Sequence, residues 1–333
     1  MTVRPVRIGV IGVGFGARVH VPAVRRDPRC VVAAVASRDA ARAEAVAAAL
    51  DIPVVHRDWR ALIADPSIDA VSLAVPPADQ PGIIIEAART GKHVFCEKPV
   101  GASLDDAEHA LDAARRAGIV HAIDFIFPEI AAWQRARDLL RGGVIGAPRR
   151  FSYVWRVQTV AARTRADSWK NRPDEGGGAC GNFLPHVIFN LEWLLGRLVG
   201  LDSVPRDVDP ASFCDCVAHL AGGIEGSITV ETDARVPEGH RLQLVGESGT
   251  LMLSNTSSDY AHGFELRVST GGREEVLERD VCPADGDGRI GPVARIVRRF
   301  VDGILEGWPA APNLEDGVRV QRWLGRINHA VPR

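Results

Sequence analysis

The triplet Glu97-Lys98-Pro99 holds one of only three lysines, with Lys92 and Lys170, among the 40 lysines and arginines of a 333-residue chain. Where a bare positive charge suffices, this chain uses arginine, so a retained lysine brings an amine. A desolvated ammonium can titrate and can deliver a compact charge to one oxygen, which a guanidinium does not do. A second proton carrier, His186, follows the glycine run Gly176-Gly177-Gly178, and an imidazole exchanges protons near neutrality. Asn182 stands four residues before it, where an amide would orient the ring or hold a ligand hydroxyl. Asp124 follows an apparent strand and is either a site carboxylate or a cap at a domain junction. Trp169 lies in a polar stretch with Arg156, Arg163 and Arg165, and an aromatic face suits the C–H side of a saturated ring. No metal site is expected. Cys214 and Cys216 alternate with Ala218 and Leu220 as buried strand thiols would,. Asp285 and Asp287 lack the other ligands of a calcium loop,. The six cysteines are too sparse for a disulfide framework,, and His20 reads as a packing residue.

These side chains need a scaffold, and the first 120 residues supply its pattern. Strand-like runs at 7–11, 31–36, 54–56, 70–74, 93–96 and 120–123 alternate with helical patterns at 17–25, 40–49, 59–64, 80–89 and 104–117. Such alternation gives parallel strands with right-handed crossovers, a doubly wound sheet. Between the first strand and first helix stands Gly12-Val13-Gly14-Phe15-Gly16-Ala17. Gly12 permits a tight turn, Gly14 lets backbone N–H groups approach a pyrophosphate, and Ala17 is small enough for close packing. The helix N-terminus then faces the phosphates with unpaired donors. The second strand ends in Ser37 and Arg38, a hydroxyl and a guanidinium where an acid would bind a free ribose 2′-OH,. NADP(H) is therefore favoured, with NAD(H) open because Asp39 is one step away.

After Asp124 the texture changes. A helix at 131–140, a strand at 150–156 and a helix at 183–195 precede period-two segments at 215–220, 226–231, 241–245, 251–254 and 264–269. These read as one open, largely antiparallel sheet. The expected fold is α/β: a Rossmann domain at 1–123 and an α+β domain at 124–333. Closing helices at 292–305 and 314–327 could pack back on the first domain.

The cradle together with Phe95-Cys96-Glu97-Lys98-Pro99 resembles the glucose–fructose oxidoreductase/inositol dehydrogenase (Gfo/Idh/MocA) family. Ala74-Val75-Pro76-Pro77 is similar to the loop that borders the nicotinamide in that family. Gly176–Gly178 with His186 is similar to its active-site segment, and Val245-Gly246-Glu247-Ser248-Gly249-Thr250-Leu251 to a later strand–turn–strand signature. The resemblance implies that Glu97 and Lys98 border the cofactor, and that Lys98 and His186 surround the reacting carbinol. It also shows departures: Asn182 stands where the family has aspartate, Phe189 where an acid often follows the histidine, and Leu184 where glycine is usual. An amide cannot take a proton.

Composition narrows the rest. With 46% hydrophobic residues, 25% charged and a net charge of −2, nothing argues for nucleic acid,. The basic and apolar start is too short for a signal peptide and runs into a glycine turn. No segment approaches the ~18 apolar residues of a membrane span. A cytoplasmic enzyme is expected, moving hydride to or from a secondary hydroxyl of a cyclic sugar, polyol or sugar-bearing metabolite. Lys98 would polarise the oxygen and His186 act as acid and base. The alternatives are a ketone or imine reductase outside sugar metabolism and a nicotinamide-dependent sensor. An open sheet with one apolar face needs a cover, so a homodimer or homotetramer through it is expected.

Overall fold

The computed structural model describes residues 4–165, 167–206, 208–209, 211–280 and 286–330; Cys282 and Asp285 lie outside them. The chain divides into two compact units, Met1–Asp124 with Arg289–Gln321 and Phe125–Gly288 with Arg322–Arg333.

In the first unit, strands β1 (Val6–Ile11), β2 (Cys30–Ala36), β3 (Val54–His56), β4 (Ala70–Leu73), β5 (His93–Cys96) and β6 (His121–Ile123) form a parallel sheet. Its order is β3-β2-β1-β4-β5-β6. Helices α1 (Val21–Val24), α2 (Ala40–Ala49), α3 (Trp59–Ala64), α4 (Gln80–Arg89) and α5 (Leu104–Ala117) make the crossovers. The central strands are apolar on both faces, as parallel strands between two helical layers must be: Ile8, Val10, Val71, Leu73 and Phe95 are all buried. The chain order reverses between β1 and β4, which puts a crevice at the strand C-terminal ends. The helix expected over 17–25 is not continuous. It opens as a π-helical turn, Gly16–His20, and only then becomes α1.

The second unit starts with α6 (Ala131–Arg141), β7 (Pro148–Arg156), α7 (Val160–Thr164), α8 (Gly178–Asn182) and α9 (Leu184–Leu195). Strands β8 (Leu198–Ser203), β9 (Phe213–Leu220), β10 (Ile224–Glu231), β11 (Gly239–Gly246), β12 (Gly249–Asn255), β13 (Glu265–Thr270) and β14 (Arg273–Arg279) complete it. They form one open sheet in the order β14-β13-β12-β11-β7-β10-β9-β8. Every neighbouring pair is antiparallel except β7 and β10. Phe151, Tyr153, Trp155, Leu242, Leu244, Leu251 and Leu253 are buried, while the residues alternating with them face outward. Helices α10 (Ile290–Glu306) and α11 (Leu314–Ala330) end the chain, α10 within the first unit.

The outward face of the open sheet is mixed, with Val154, Val217, Val245 and Met252 set among polar side chains. It carries Ser152, Arg156, Thr229, Glu231, Arg241, Gln243 and Arg267. Cross-strand pairs tie it together: Arg156 to Glu231 at 2.7 Å, Arg267 to Glu274 at 2.8 Å, and Thr229 to Asp215 at 2.6 Å.

Candidate functional site

Three glycines build the cradle, each for a different reason. Gly12 has φ +99°, and a Cβ there would meet the Ala74 carbonyl oxygen at 2.3 Å. A Cβ on Gly16 would meet Val10 Cγ1 at 2.9 Å and Ala74 Cβ at 3.3 Å. Close helix–strand packing thus rests on buried Gly16, whereas Ala17, given that role from the spacing, is half-buried. Gly14 is exposed, and the nearest atom to a Cβ there would be Arg42 Nη2 at 3.9 Å. That open approach beside a guanidinium fits a pyrophosphate. Phe15 sets its ring edge-on to His20 at 5.3 Å, with the Arg289 guanidinium 4.9 Å from its centroid. Past β2, Ser37 is half-buried and Arg38 exposed, its Nη1 3.6 Å from Asp79 Oδ2. Asp39 caps α2, its carboxylate accepting from Arg42 N at 3.0 Å. The loop Ala74–Pro77 reaches the cradle through Ala74, whose N–H donates to Ile11 at 2.9 Å.

Lys98 sits in the loop leaving β5, half-buried. A residue that sequence reasoning missed holds this loop: Gln80, at the start of α4 and fully buried. Its amide nitrogen donates to the carbonyls of Glu97 at 3.0 Å and Pro99 at 2.7 Å. Beside it lies a cluster drawn from three elements. His20 Nδ1 donates to Ser72 Oγ of β4 at 2.8 Å; His20 Nε2 donates to Glu97 Oε1 at 3.3 Å and lies 3.8 Å from Asp124 Oδ2. His20 is completely buried and Asp124 is 2% exposed. Burial works against the imidazolium, yet the nearby carboxyl groups of Asp124 and Glu97 outweigh it and push the His20 pKa up to about 9,. Burial and the Glu97 charge push Asp124 up to about 7. Glu97 goes down to about 2 despite desolvation, because His20 bonds to it and the charges of His20 and Lys98 favour its carboxylate. One donor atom from each of the three lies within 4.8 Å of the others. His20 does pack, against Phe15 and Phe95, but it also carries charge. Asp124 is a cluster member and makes no capping bond of its own to a helix among those observed.

In the second unit, His186 lies on α9, 9% exposed and boxed by aromatic rings. Phe127 meets it edge-on at 5.1 Å, Phe125 at 6.0 Å, and Trp155 tilts at 6.2 Å. Phe189 stacks on Phe125 at 4.2 Å. Asn182 ends α8, and a break at Phe183 separates it from α9, so it is not one turn earlier on the same helix. Its amide nitrogen donates to Lys170 O at 2.7 Å and Gly178 O at 2.9 Å. Both amide hydrogens therefore hold the loop. Trp169 is half-buried in a single 3-10 turn with the Lys170 ammonium 5.9 Å from its ring. Trp155, by contrast, is core, stacked on His240 at 4.2 Å. Cys214 and Cys216 are buried with sulfurs 3.6 Å apart, and both are free thiols, as is Cys180 of α8.

Two family models match the chain: the oxidoreductase family with an NAD-binding Rossmann fold over residues 6–125, and the GFO/IDH/MocA C-terminal domain over 133–252. An uncharacterized oxidoreductase of Synechocystis sp. is 30% identical over 94% of this chain and 91% of its own length. A dTDP-3,4-didehydro-2,6-dideoxy-alpha-D-glucose 3-reductase of Streptomyces violaceoruber is 32% identical, covering 91% of this chain and 88% of its own. A levoglucosan dehydrogenase solved with NADH and levoglucosan superposes with a TM-score of 0.86 at 23% identity, covering 98% of this chain and 97% of that one. The last shows a shared fold.

Proposed function

We propose that this chain, which belongs to the GFO/IDH/MocA oxidoreductase family, interconverts a secondary hydroxyl and its ketone on a cyclic sugar, a polyol or a sugar-bearing metabolite. It is an NAD(P)-dependent oxidoreductase of the dehydrogenase and reductase type. When bound, the nicotinamide takes up or supplies the hydride. The Lys98 ammonium donates to the reacting oxygen and stabilises the negative charge that develops there. His186 takes the hydroxyl proton in oxidation and returns it in reduction. The Asn182 carbonyl oxygen accepts from a substrate hydroxyl, and Trp169 lies under the C–H side of the ring.

One observation carries this reading. Glu97, the neighbour of Lys98, touches His20 at 3.3 Å, and His20 belongs to the turn that opens from the cradle. Lys98 therefore leaves the sheet beside the phosphate-binding turn, where α/β ligands collect. Ser37 and Arg38 support NADP(H), since Asp39 is engaged in capping α2; the relative solved with NADH makes NAD(H) the comparison to run. Ketone reduction is the second reading, favoured by the reductase relative and by an amide at Asn182.

The experiment is a substrate panel of sugars and sugar-nucleotide ketones, assayed in both directions with each cofactor. Lys98→Ala is expected to lose at least about 100-fold in kcat while binding cofactor as the wild type does. Near-wild-type turnover in that variant would remove Lys98 from the chemistry. Arg38→Ala is expected to weaken NADP(H) binding and leave NAD(H) binding unchanged.

A further inference from the structure

We propose that His20, Glu97 and Asp124 form a buried proton-holding cluster behind Lys98, and that His20 and Asp124 are positioning residues that set the charge the lysine works against. The inference rests on the reading of Lys98 as the group that polarises the substrate oxygen.

The argument starts from geometry. Three ionisable side chains converge from the turn after the cradle, the tip of β5 and the tip of β6. Ser72 fixes the ring through Nδ1, and Phe15 and Phe95 pack on its faces at 5.3 and 4.9 Å. The imidazole is thus held in one plane with Nε2 aimed at two carboxyl groups. Carboxyl oxygens of Glu97 and Asp124 lie within 4.8 Å of each other, and two carboxylates that close in a buried setting do not both stay ionised. Asp124 Oδ1 is buried and has no hydrogen-bond partner. An orphaned carboxylate oxygen is costly there, whereas a neutral carboxyl group tolerates it.

Charge accounting then gives the cluster two states. With His20 protonated and one proton between the carboxyl groups it is neutral; when that proton leaves it carries one negative charge. The other facing groups leave this balance alone. The Cys96 thiol is pushed upward by burial and by both acids, so it stays protonated. Helix α10, packed on this region, buries Ile296, Val297, Phe300 and Val301. Besides His20, the Lys98 charge acts on Glu97. The cluster therefore changes charge near neutral pH, one residue away from the lysine amine, in a setting of low effective dielectric. Above neutral pH its negative state favours the ammonium beside it, and below neutral pH its neutral state favours it less.

The test reads the cluster both with and without turnover. Protein labelled with 15N-histidine is titrated from pH 5 to 10 with no substrate present, and His20→Gln assigns the His20 ring among the ten histidines. An imidazolium signature for His20 that persists through pH 8, and that Asp124→Asn shifts, is the expected result. In parallel, kcat/KM is followed against pH on the best panel substrate. Besides any ionisation the two proteins share through His186, the wild type is expected to show one near neutrality that disappears in Asp124→Asn. His20→Gln is expected to lose about tenfold in kcat, the lower end of the cost of removing a working group's outer partner, with cofactor KM within about twofold. A neutral His20 ring at pH 7 in the wild-type protein overturns the proposal even if a variant fails to fold. So does an unchanged pH profile in a folded Asp124→Asn, or one equivalent of tightly held divalent metal in the purified protein. If Lys98→Ala keeps full turnover, the reading of Lys98 falls, while the ring titration still decides whether the cluster holds its protons.

Discussion

His20 binds its proton more tightly in the folded chain than in the unfolded one, at about 9 against 6.5. A basic group raised in this way contributes stability that is fully present below pH 6.5 and is lost as pH rises through about 9. Asp124, raised to about 7, moves stability in the same direction between about 4 and 7, because the folded chain again holds the extra proton,. Glu97, lowered to about 2, acts only in acid, where its contribution is lost as pH falls below about 4.5. His20→Gln is therefore expected to be less stable than the wild type at pH 6, by of the order of 3 kcal/mol. The gap should close by about pH 9.5, and urea denaturation across that range measures it. A gap independent of pH would mean that the residue matters only for packing. Asn182 makes a different kind of prediction. Its two donated bonds to Lys170 and Gly178 need N–H groups, so Asn182→Asp should lower stability by about 1–3 kcal/mol at neutral pH. Thermal melts of the two proteins decide it. Restoring the acid usual in the family would then not restore a missing function, because the local loop is built for an amide.

The strand–turn–helix at the cradle separates folding from binding. Gly12→Ala places a Cβ 2.3 Å from a carbonyl oxygen at φ +99° and should lower the melting temperature. Gly14→Ala meets nothing closer than 3.9 Å, so it should fold normally and lose cofactor affinity, as read by NAD(P)H fluorescence titration. Equal affinity in Gly14→Ala would place the phosphates elsewhere. Gln80→Ala removes two bonds from the loop that carries Lys98, and is expected to reduce kcat more than cofactor binding. The elements themselves were unevenly legible in the sequence. The parallel strands stand out because burial on both faces makes them continuous apolar runs, and Gly12 and Gly14 punctuate the first of them. Edge strand β14 was missed because Arg273–Arg279 is largely exposed and charged; only backbone pairing with β13 makes it a strand. The short helices α7 and α8 were missed for want of an apolar period. His20 was read as packing because its partners Ser72 and Glu97 lie 52 and 77 residues away. A one-dimensional pattern carries no sign of such a meeting. Gln80 was invisible for the same reason.

Assembly belongs to the whole molecule: the open sheet has a face to cover, and that face carries charged pairs alongside Val154, Val217, Val245 and Met252. Homodimers usually join through surfaces more apolar than the rest of the protein. A pairing through this sheet would also bring rows such as Arg156–Glu231 and Arg267–Glu274 against their symmetry mates. These pairs are partly exposed, so solvent and salt screen them. At 0.15 M ionic strength the screening length is about 8 Å, and by 1 M it falls to about 3 Å. If the chain assembles through this face, its association should weaken several-fold between 0.05 and 0.5 M NaCl in sedimentation equilibrium. Arg156→Glu, which sets like charge against Glu231 and Glu238, should weaken it further at low salt. An oligomer indifferent to both changes would have to form through another surface, and the open sheet would then serve only to back the aromatic core around Trp155 and His186.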